Sequence, residues 1–520
     1  MVVMVGECIG CHTHPMHAAD SAAGELLIEG AVVVPSAAGE PIADAAVLVT
    51  DGFVTSLGDA GELAAAHPAA RRAGGPGMLV MPGLVNAHQH AEGVSTFQMG
   101  FVDEPFEPWM ALMHALPSVD AYLTTLYKSM LMLTSGVTTH VHSHFPAKHG
   151  YGDDPAGGYL VELEGAVSAH REAGLRTALA PYWRDRASFV YDDDARFIDS
   201  LPDDLSGPAG ALIDGPRIPN SVYIDAITEL HRRLAGDEMI GVQLSIAAPQ
   251  WASDELLDAV GDAAAALRIG VHLHALESRR QLAWGDDFQA GNELRRLADR
   301  GVLGDRTAIA HGVYLRDADI DLMAERGAMV AHNCSSNLRL ACGIAPVRRL
   351  VARGVTVGLG SDDMTLDDDD DMLSEVRAAH ITQRVWEGPE PLLDARDILR
   401  MAWEGGARIA GLEGQVGRLE PGYRADAVVL DLQAMRGVYT SPAVPYHDLV
   451  VARARRRHVR QVLVGGRVLA QDGRPLHVDM DALGAEVAAS ADAAVRAVDP
   501  GRVELLQQLR PWMLRYPPAY

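Results

Sequence analysis

Five side chains able to bind a metal sit at the ends of short apolar runs: His88, His90, His274, His311 and Asp362. Imidazole nitrogens with one carboxylate suit a single divalent ion, which lowers the pKa of a water toward about 7 and so supplies a nucleophile at neutral pH. The first two lie in MLVMPGLVNAHQH. Residues two apart in a strand point to the same side, so both imidazoles can reach one ion. IGVHLHALES repeats the device with His272 and His274, while Val271 and Leu273 take the opposite, apolar face; His274 is nearer the strand end and His272 is the packing member of the pair. TAIAHGVYL carries His311 and VTVGLGSDD carries Asp362. Each polar group marks the carboxyl end of an apolar run, so four strands converge on one mouth, the end at which a parallel barrel keeps its chemistry. Any one of the 21 histidines could be an ordinary half-buried residue, and it is the spaced set that carries the metal reading.

The elements that must position these groups follow from the text between them. Eight apolar runs qualify as strands: MLVMPGLVNA, GVTTHVHSHF, RTALAPYW, GVQLSIAAP, GVHLHALES, TAIAHGVYL, AMVAHNC and TVGLGSDD. Alanine-, leucine- and charge-rich stretches such as DELLDAVGDAAAALR separate them, a pattern that predicts an α/β protein with a (β/α)8 TIM barrel. No GxGxxG turn suggests a dinucleotide fold. The two ends share another texture, short strands with turn signals at Asp51-Gly52, Gly465-Gly466 and Asp472-Gly473. They are expected to pair into one small β-sandwich with the barrel inserted between them. The expected divisions are an extension over 1–24, sandwich over 25–80, barrel over 81–410, sandwich again over 411–480, and a helical tail over 481–520.

The chain has 520 residues and a formal net charge of −26, from 70 acidic and 44 basic side chains. Such a balance argues against nucleic acid or an anionic membrane as partner. The one dense basic stretch, ARARRRHVR over 452–460, is short and reads as a solvated face or interface. No uninterrupted apolar run approaches the roughly 18 residues of a membrane span, and no basic segment precedes an apolar one at the amino end; a cytoplasmic protein is expected. Four cysteines are not a disulfide framework. Cys8-Ile9-Gly10-Cys11-His12 matches the haem-attachment pattern, but without an export signal haem is not expected.

Taken in order, PGLVNAHQH, HLHALES, AHGVYL, AHNCSSNLRLACGIAPV, GLGSDD and GRLEPGYRADAVVLDL with VLVGGRVLAQDG resemble the amidohydrolase superfamily. The closer likeness is to the branch of S-adenosylhomocysteine and related adenosine deaminases, guanine-type deaminases and triazine hydrolases. The resemblance spans about residues 26 to 480. It implies one divalent metal, zinc with iron as the alternative, held by His88, His90, His274 and Asp362. It makes Glu277 the proton-shuttling glutamate, His311 the group that polarises substrate or steadies the attacking water, and Asp362 the acceptor of that water's proton. Relatives with two metals carry a bridging lysine or glutamate on strand 4; GVQLSIAAP offers neither, so one metal is expected. The family's habits also imply a homodimer or larger homo-oligomer.

The implied activity is hydrolytic deamination of an amino-substituted N-heterocycle or a guanidine-like small molecule. The alternative is hydrolysis of another bond at the same site, in a cyclic amide or a chloro- or alkylthio-substituted ring. The unrelated zinc nucleobase deaminases need a PCxxC downstream of HxE, which His90-Ala91-Glu92 lacks. Departures from the family bear on substrate. Phe97-Gln98-Met99-Gly100 stands where relatives often carry an arginine, which brings Gln98 forward as a contact. Asp363 replaces the usual glycine after Asp362, and an acidic run over Asp367–Asp371 follows; it reads as a helix cap or as a field, with Asp103, Glu104 and Glu107, that favours a neutral or cationic substrate. Trp109, Tyr182, Trp183, Asn333 and Asn337 are candidates to hold a flat ring. His142 and His144, with His140 on the same strand face, stand between hydrogen-bonded packing and pocket lining.

Overall fold

The computed structural model describes residues 24–113, 115–116, 119–145, 154–187, 190–191, 193–213, 219–385 and 388–515. The segment carrying Cys8, Cys11 and His12 lies outside the described residues.

Eight parallel strand positions follow one another in chain order. They are Leu84–Gln89, Val137–His142, a third in two pieces (Arg176–Leu179 and Tyr182–Trp183), a fourth in two pieces (Ile240–Val242 and Leu244–Ile246), Val271–Ala275, Thr307–His311, Met329–His332 and Thr356–Leu359. The interruptions divide the hydrogen-bonded ladder into a four-stranded and a six-stranded arc. The eighth strand is brought to the first by backbone and side-chain bonds. The Asp362 N–H donates to the His88 carbonyl at 2.9 Å, the Ser361 N–H to Asn86 Oδ1 at 3.0 Å, and the Asn86 amide to Ser361 Oγ at 2.7 Å. Gly360 permits this closure, since a Cβ there would lie 2.3 Å from Asn333 Oδ1 and 2.9 Å from the His88 carbonyl oxygen. The architecture is the (β/α)8 barrel.

Helices form where the apolar period changes from two to 3.6. Asp254–Leu267 shows how: Ser253 caps its first turn by accepting the Leu256 N–H, and Leu256, Leu257, Val260 and Ala263 make its buried stripe. Arg268 ends it in the left-handed region at φ 57°.

The two ends of the chain meet in one eight-stranded sheet. Its order is Arg474–Pro475, Arg467–Gln471, Val459–Val464, Ala427–Asp431, Arg71–Pro82, Glu25–Val33, Ile42–Thr50 and Phe53–Asp59. The junction is antiparallel, Ala427 facing Pro82 and Asp431 facing Met78. Only Gly83 separates Arg71–Pro82 from the first barrel strand, so the sheet directly sets the register of the strand bearing His88 and His90. A buried ion pair ties the two units, Arg176 Nε of the third barrel strand to Asp426 Oδ2 at 2.8 Å. Beyond the sheet come two helices, Met480–Arg496 and Pro500–Met513. Among the described residues no helix is long and apolar enough to cross a membrane.

Candidate active site

His88 and His90 end the first barrel strand, and the period-two reasoning places both rings on the barrel axis, their centroids 4.8 Å apart. His274 at the end of the fifth strand stacks on His90 with Nε2 to Nε2 at 3.3 Å. Asp362 follows the eighth strand, its Oδ1 3.5 Å from His88 Nε2 and 3.3 Å from His90 Nε2. Two triplets, His88 with His274 and His311, and His88 with His90 and Asp362, each bring their ligand atoms within 4.8 Å of one another.

The outer ring nitrogens hold the inner ones in place. His90 Nδ1 donates to the Ser143 carbonyl at 2.6 Å and His274 Nδ1 to the Ala247 carbonyl at 2.8 Å. His88 Nδ1 pairs with His272 Nε2 at 2.7 Å. Each of these bonds turns an Nε2 toward the axis. Buried His88 Nε2 has no hydrogen-bond partner among the described residues, an arrangement that is costly unless a ligand fills it. Three imidazoles and a carboxylate on a common centre fit one divalent metal. Burial lowers His88 to about 4 and holds His274 well below the usual histidine range, so both rings are neutral donors. At His90 burial opposes a charge, but Asp363 and then Asp362 outweigh it and raise the ring to about 9, so metal binding there displaces a proton.

Two carboxyls of opposite character flank this centre. For Asp362 burial is outweighed by the neighbouring imidazoles of His88 and His90, and then His311, which hold it well below the ordinary carboxylate range. Ser336 Oγ also donates to its Oδ2 at 2.7 Å. Glu277 is 1% exposed, and burial, followed by the charges of Asp362 and Glu107, pushes it well above that range. Its Oε1 lies 3.6 Å from His311 Nδ1, and its Oε2 has no partner among the described residues. His311 is neutral through burial, and its Nδ1 bonds Asn337 Oδ1 at 2.9 Å. Four non-glycine residues at these strand ends adopt positive φ: Ala91 (57°), Leu276 (52°), His311 (73°) and Asp362 (55°). Such strain persists only where surrounding bonds hold it, and here it clusters on the ligand-bearing turns.

The expected substrate contacts divide. Asn333 and Asn337 reach the centre, but as partners of His311: Asn333 Nδ2 lies 3.4 Å from His311 Nδ1. His142 is not open to a ligand, because its Nδ1 pairs with His170 Nε2 at 2.9 Å and its Nε2 donates to the His90 carbonyl at 3.0 Å. Trp183 is likewise committed, stacked on Tyr223 with its N–H on Asn220 Oδ1 at 3.1 Å. Trp109 is buried and donates to Thr96 Oγ1 at 3.0 Å, and His144 pairs with Glu162 at 2.6 Å. Gln98 is exposed, its Oε1 accepting the Ser95 N–H at 2.9 Å. Asp363 and Glu277 carry buried carboxylate oxygens without partners among the described residues, and Phe145 and Tyr182 stand beside His90 with ring centroids at 4.3 and 6.3 Å. Phe145 escaped the sequence reading although it ends the quoted run GVTTHVHSHF. Ser336 escaped it because nothing local separates Ser336 from Ser335.

Most acidic groups of these loops have partners within the fold. Asp368 and Asp103 both pair with Arg339, at 2.7 and 2.8 Å, and Asp370 is buried against Lys128 Nζ at 2.7 Å. Asp371 caps the helix Met372–Thr382, and Glu104 pairs with Arg510 at 2.7 Å. The helix-cap reading holds for Asp371, and the substrate-field reading loses Asp103, Glu104, Asp368 and Asp370 to arginine and lysine partners.

Residues 79–469 match the amidohydrolase family. The 5-methylthioadenosine/S-adenosylhomocysteine deaminase of Desulforudis audaxviator is 30% identical over 460 residues, covering 87% of this chain and 95% of that protein. The 5′-deoxyadenosine deaminase of Methanosarcina barkeri is 28% identical over 432 residues, 81% of this chain and 88% of its own. A crystal structure of an adenosine deaminase from Xanthomonas campestris with bound zinc superposes with a TM-score of 0.75 at 25% identity, over 91% of this chain and 99% of that one.

Proposed function

The chain belongs to the amidohydrolase family, and from that premise we propose that it is a metal-dependent hydrolytic deaminase that releases ammonia from an amino-substituted N-heterocycle, with a 5′-substituted adenosine as the first class to test. The observation that carries this reading is the divergence of Asp362 and Glu277: their surroundings push the first well below and the second well above the ordinary carboxylate range. Groups driven apart in this way are suited to act as base and acid in one reaction. A divalent ion held by His88, His90, His274 and Asp362 supplies Lewis-acid activation of water; zinc is the proposed ion, as in the Xanthomonas neighbour. Asp362 takes the proton from the attacking water. Glu277 gives its proton to the ring nitrogen next to the carbon under attack, then takes the proton of the newly added hydroxyl and passes it to the departing amino group, so that ammonia leaves and a carbonyl remains; the proton held by Asp362 then restores Glu277. His311, fixed by Asn337, steadies the new oxygen substituent. Phe145 and Tyr182 offer aromatic surface against which a flat ring can lie.

The support for an adenosine-type substrate is the naming of the two relatives. We place the enzyme in the cytoplasm, in keeping with the unbridged thiols of Cys334 and Cys342. We also propose a homodimer or larger homo-oligomer, supported by the exposed apolar side chains of Val438 and Tyr439.

The test is ammonia release by the zinc-loaded protein from 5′-methylthioadenosine, S-adenosylhomocysteine, 5′-deoxyadenosine, guanine and amino-triazines. Ammonia from an adenine-bearing compound is expected. Release of chloride or an alkylthiol without ammonia turns the reading to hydrolysis of another ring substituent, and no ammonia from any amino-heterocycle overturns deamination.

A further inference from the structure

Glu107 is a buried carboxylate, 7% exposed, that gathers three donors from two separate segments. Ser278 Oγ donates to its Oε1, Tyr191 OH donates to the same oxygen at 3.0 Å, and Arg280 Nη1 lies 3.1 Å from its Oε2. Ser278 follows Glu277 directly in the chain. The turn that presents Glu277 is a strained one, since Leu276 has φ 52°. Within it the Glu277 N–H is tied to Gln281 Oε1 at 2.8 Å, and Ser278 caps the helix Arg279–Gln289. A turn of this kind keeps its shape only while its outer bonds hold.

Those outer bonds lead to the end of the chain. Arg280 uses its other terminal nitrogen, Nη2, to donate to the Leu514 carbonyl at 2.9 Å, just beyond the helix Pro500–Met513. The same helix sends Arg510 to Glu104 at 2.7 Å, close to the start of the helix Phe106–Met113 that bears Glu107. Its apolar side, Leu506, Leu509 and Met513, shares a buried cluster with Ala111, Phe197 and Leu201. The helix Pro500–Met513 lies outside the segment that matches the family, which ends at 469.

We propose that Glu107 is a positioning residue for Glu277, acting through Ser278, and that the carboxyl-terminal helix is the strap that holds it, joined through Arg280. The inference rests on the reading of Glu277 as the proton carrier. Arg280 neutralises Glu107 while bridging it to the strap, so loss of either partner frees the Leu276–Ser278 turn to relax.

The experiment compares the full-length zinc-loaded protein with Arg280→Met, Glu107→Gln, Glu107→Leu and a chain ending at residue 498. Hydrogen–deuterium exchange of the peptide covering 276–283 is the first readout. Exchange there is expected to quicken about tenfold or more in Arg280→Met and in the shortened chain, with the strand Thr356–Leu359 unchanged. Deamination of 5′-methylthioadenosine is the second. Per bound zinc, kcat is expected to fall about tenfold or more in Arg280→Met and Glu107→Leu with KM within about threefold, while Glu107→Gln, which still accepts from Ser278 and Tyr191, recovers most of it. If the shortened chain does not fold, Arg280→Met alone decides. Unchanged exchange at 276–283 in that variant overturns the proposal, as does an unchanged kcat. Should the parent protein release no ammonia from the probe, the deaminase reading suffers, and the exchange measurement still decides whether the strap holds the turn.

Discussion

Lys128 Nζ and Asp370 Oδ1 form an ion pair 2.7 Å long, with both side chains almost wholly removed from solvent. Lys128 lies on the helix Ala121–Thr134 that leads into the second barrel strand, and Asp370 lies in the loop that follows Asp362. Breaking a buried pair from one side leaves an uncompensated charge, which costs about 3–5 kcal/mol. Asp370→Asn is therefore expected to lower the thermal midpoint markedly, whereas Asp367→Asn, on an exposed side chain, is expected to stay within about 0.5 kcal/mol. Equal midpoints for the two variants would show that the pair contributes nothing to the loop.

Metal binding is expected to depend on the shared centre. Purified protein should hold about one equivalent of zinc, and His88→Ala or His274→Ala should hold little, because each removes one of four donors. Elemental analysis that finds two tightly held ions, or full occupancy in either variant, rules out the single site.

Glu277→Gln keeps the size and much of the hydrogen bonding of the side chain but removes its transferable proton. Turnover should fall about a hundredfold or more with metal content and thermal midpoint nearly unchanged. Near-normal ammonia release from this variant would sink the assignment of Glu277 as proton carrier.

Stability should also carry a signature of Glu293. This residue begins the helix Glu293–Asp299, both its oxygens are buried without partners among the described residues, and burial raises it to about 8. The folded protein thus binds a proton that the unfolded chain releases near the ordinary value of about 4.3. The sign is that of a raised group: the contribution is full below that value and is lost as pH rises through about 8. Glu293→Gln should flatten the decline in urea midpoint between pH 6 and pH 9, and an identical slope in the variant would discount this residue.

The strand ends bearing His88, His90, His274, His311 and Asp362 were legible from sequence because strand geometry is local. A period of two decides which way a side chain points, and an apolar run that stops at a polar group marks the strand's mouth end. The expectation that the two chain ends meet was legible for a similar reason, in repeated short strands and paired glycines. The pairing of those ends through Ala427–Asp431 on Arg71–Pro82 places the first barrel strand.

What the chain could not disclose locally was the partner of each buried polar group. His142 and Trp183 share the residue types of ring-binding side chains, yet His170 and Asn220 occupy their polar atoms from distant helices. The acidic run after Asp362 has one composition, but Lys128, Arg339 and the helix at Met372 divide it into separate structural tasks. Glu277 and Asp362 are both carboxylates in the sequence; only burial and the surrounding imidazoles set one as an acid and the other as a base. The sequence by itself therefore determined which residues point toward the barrel axis, because pleat and periodicity need only near neighbours. The tertiary structure decided charge state and hydrogen-bond partner, because desolvation and Coulomb interaction depend on groups hundreds of residues away along the chain.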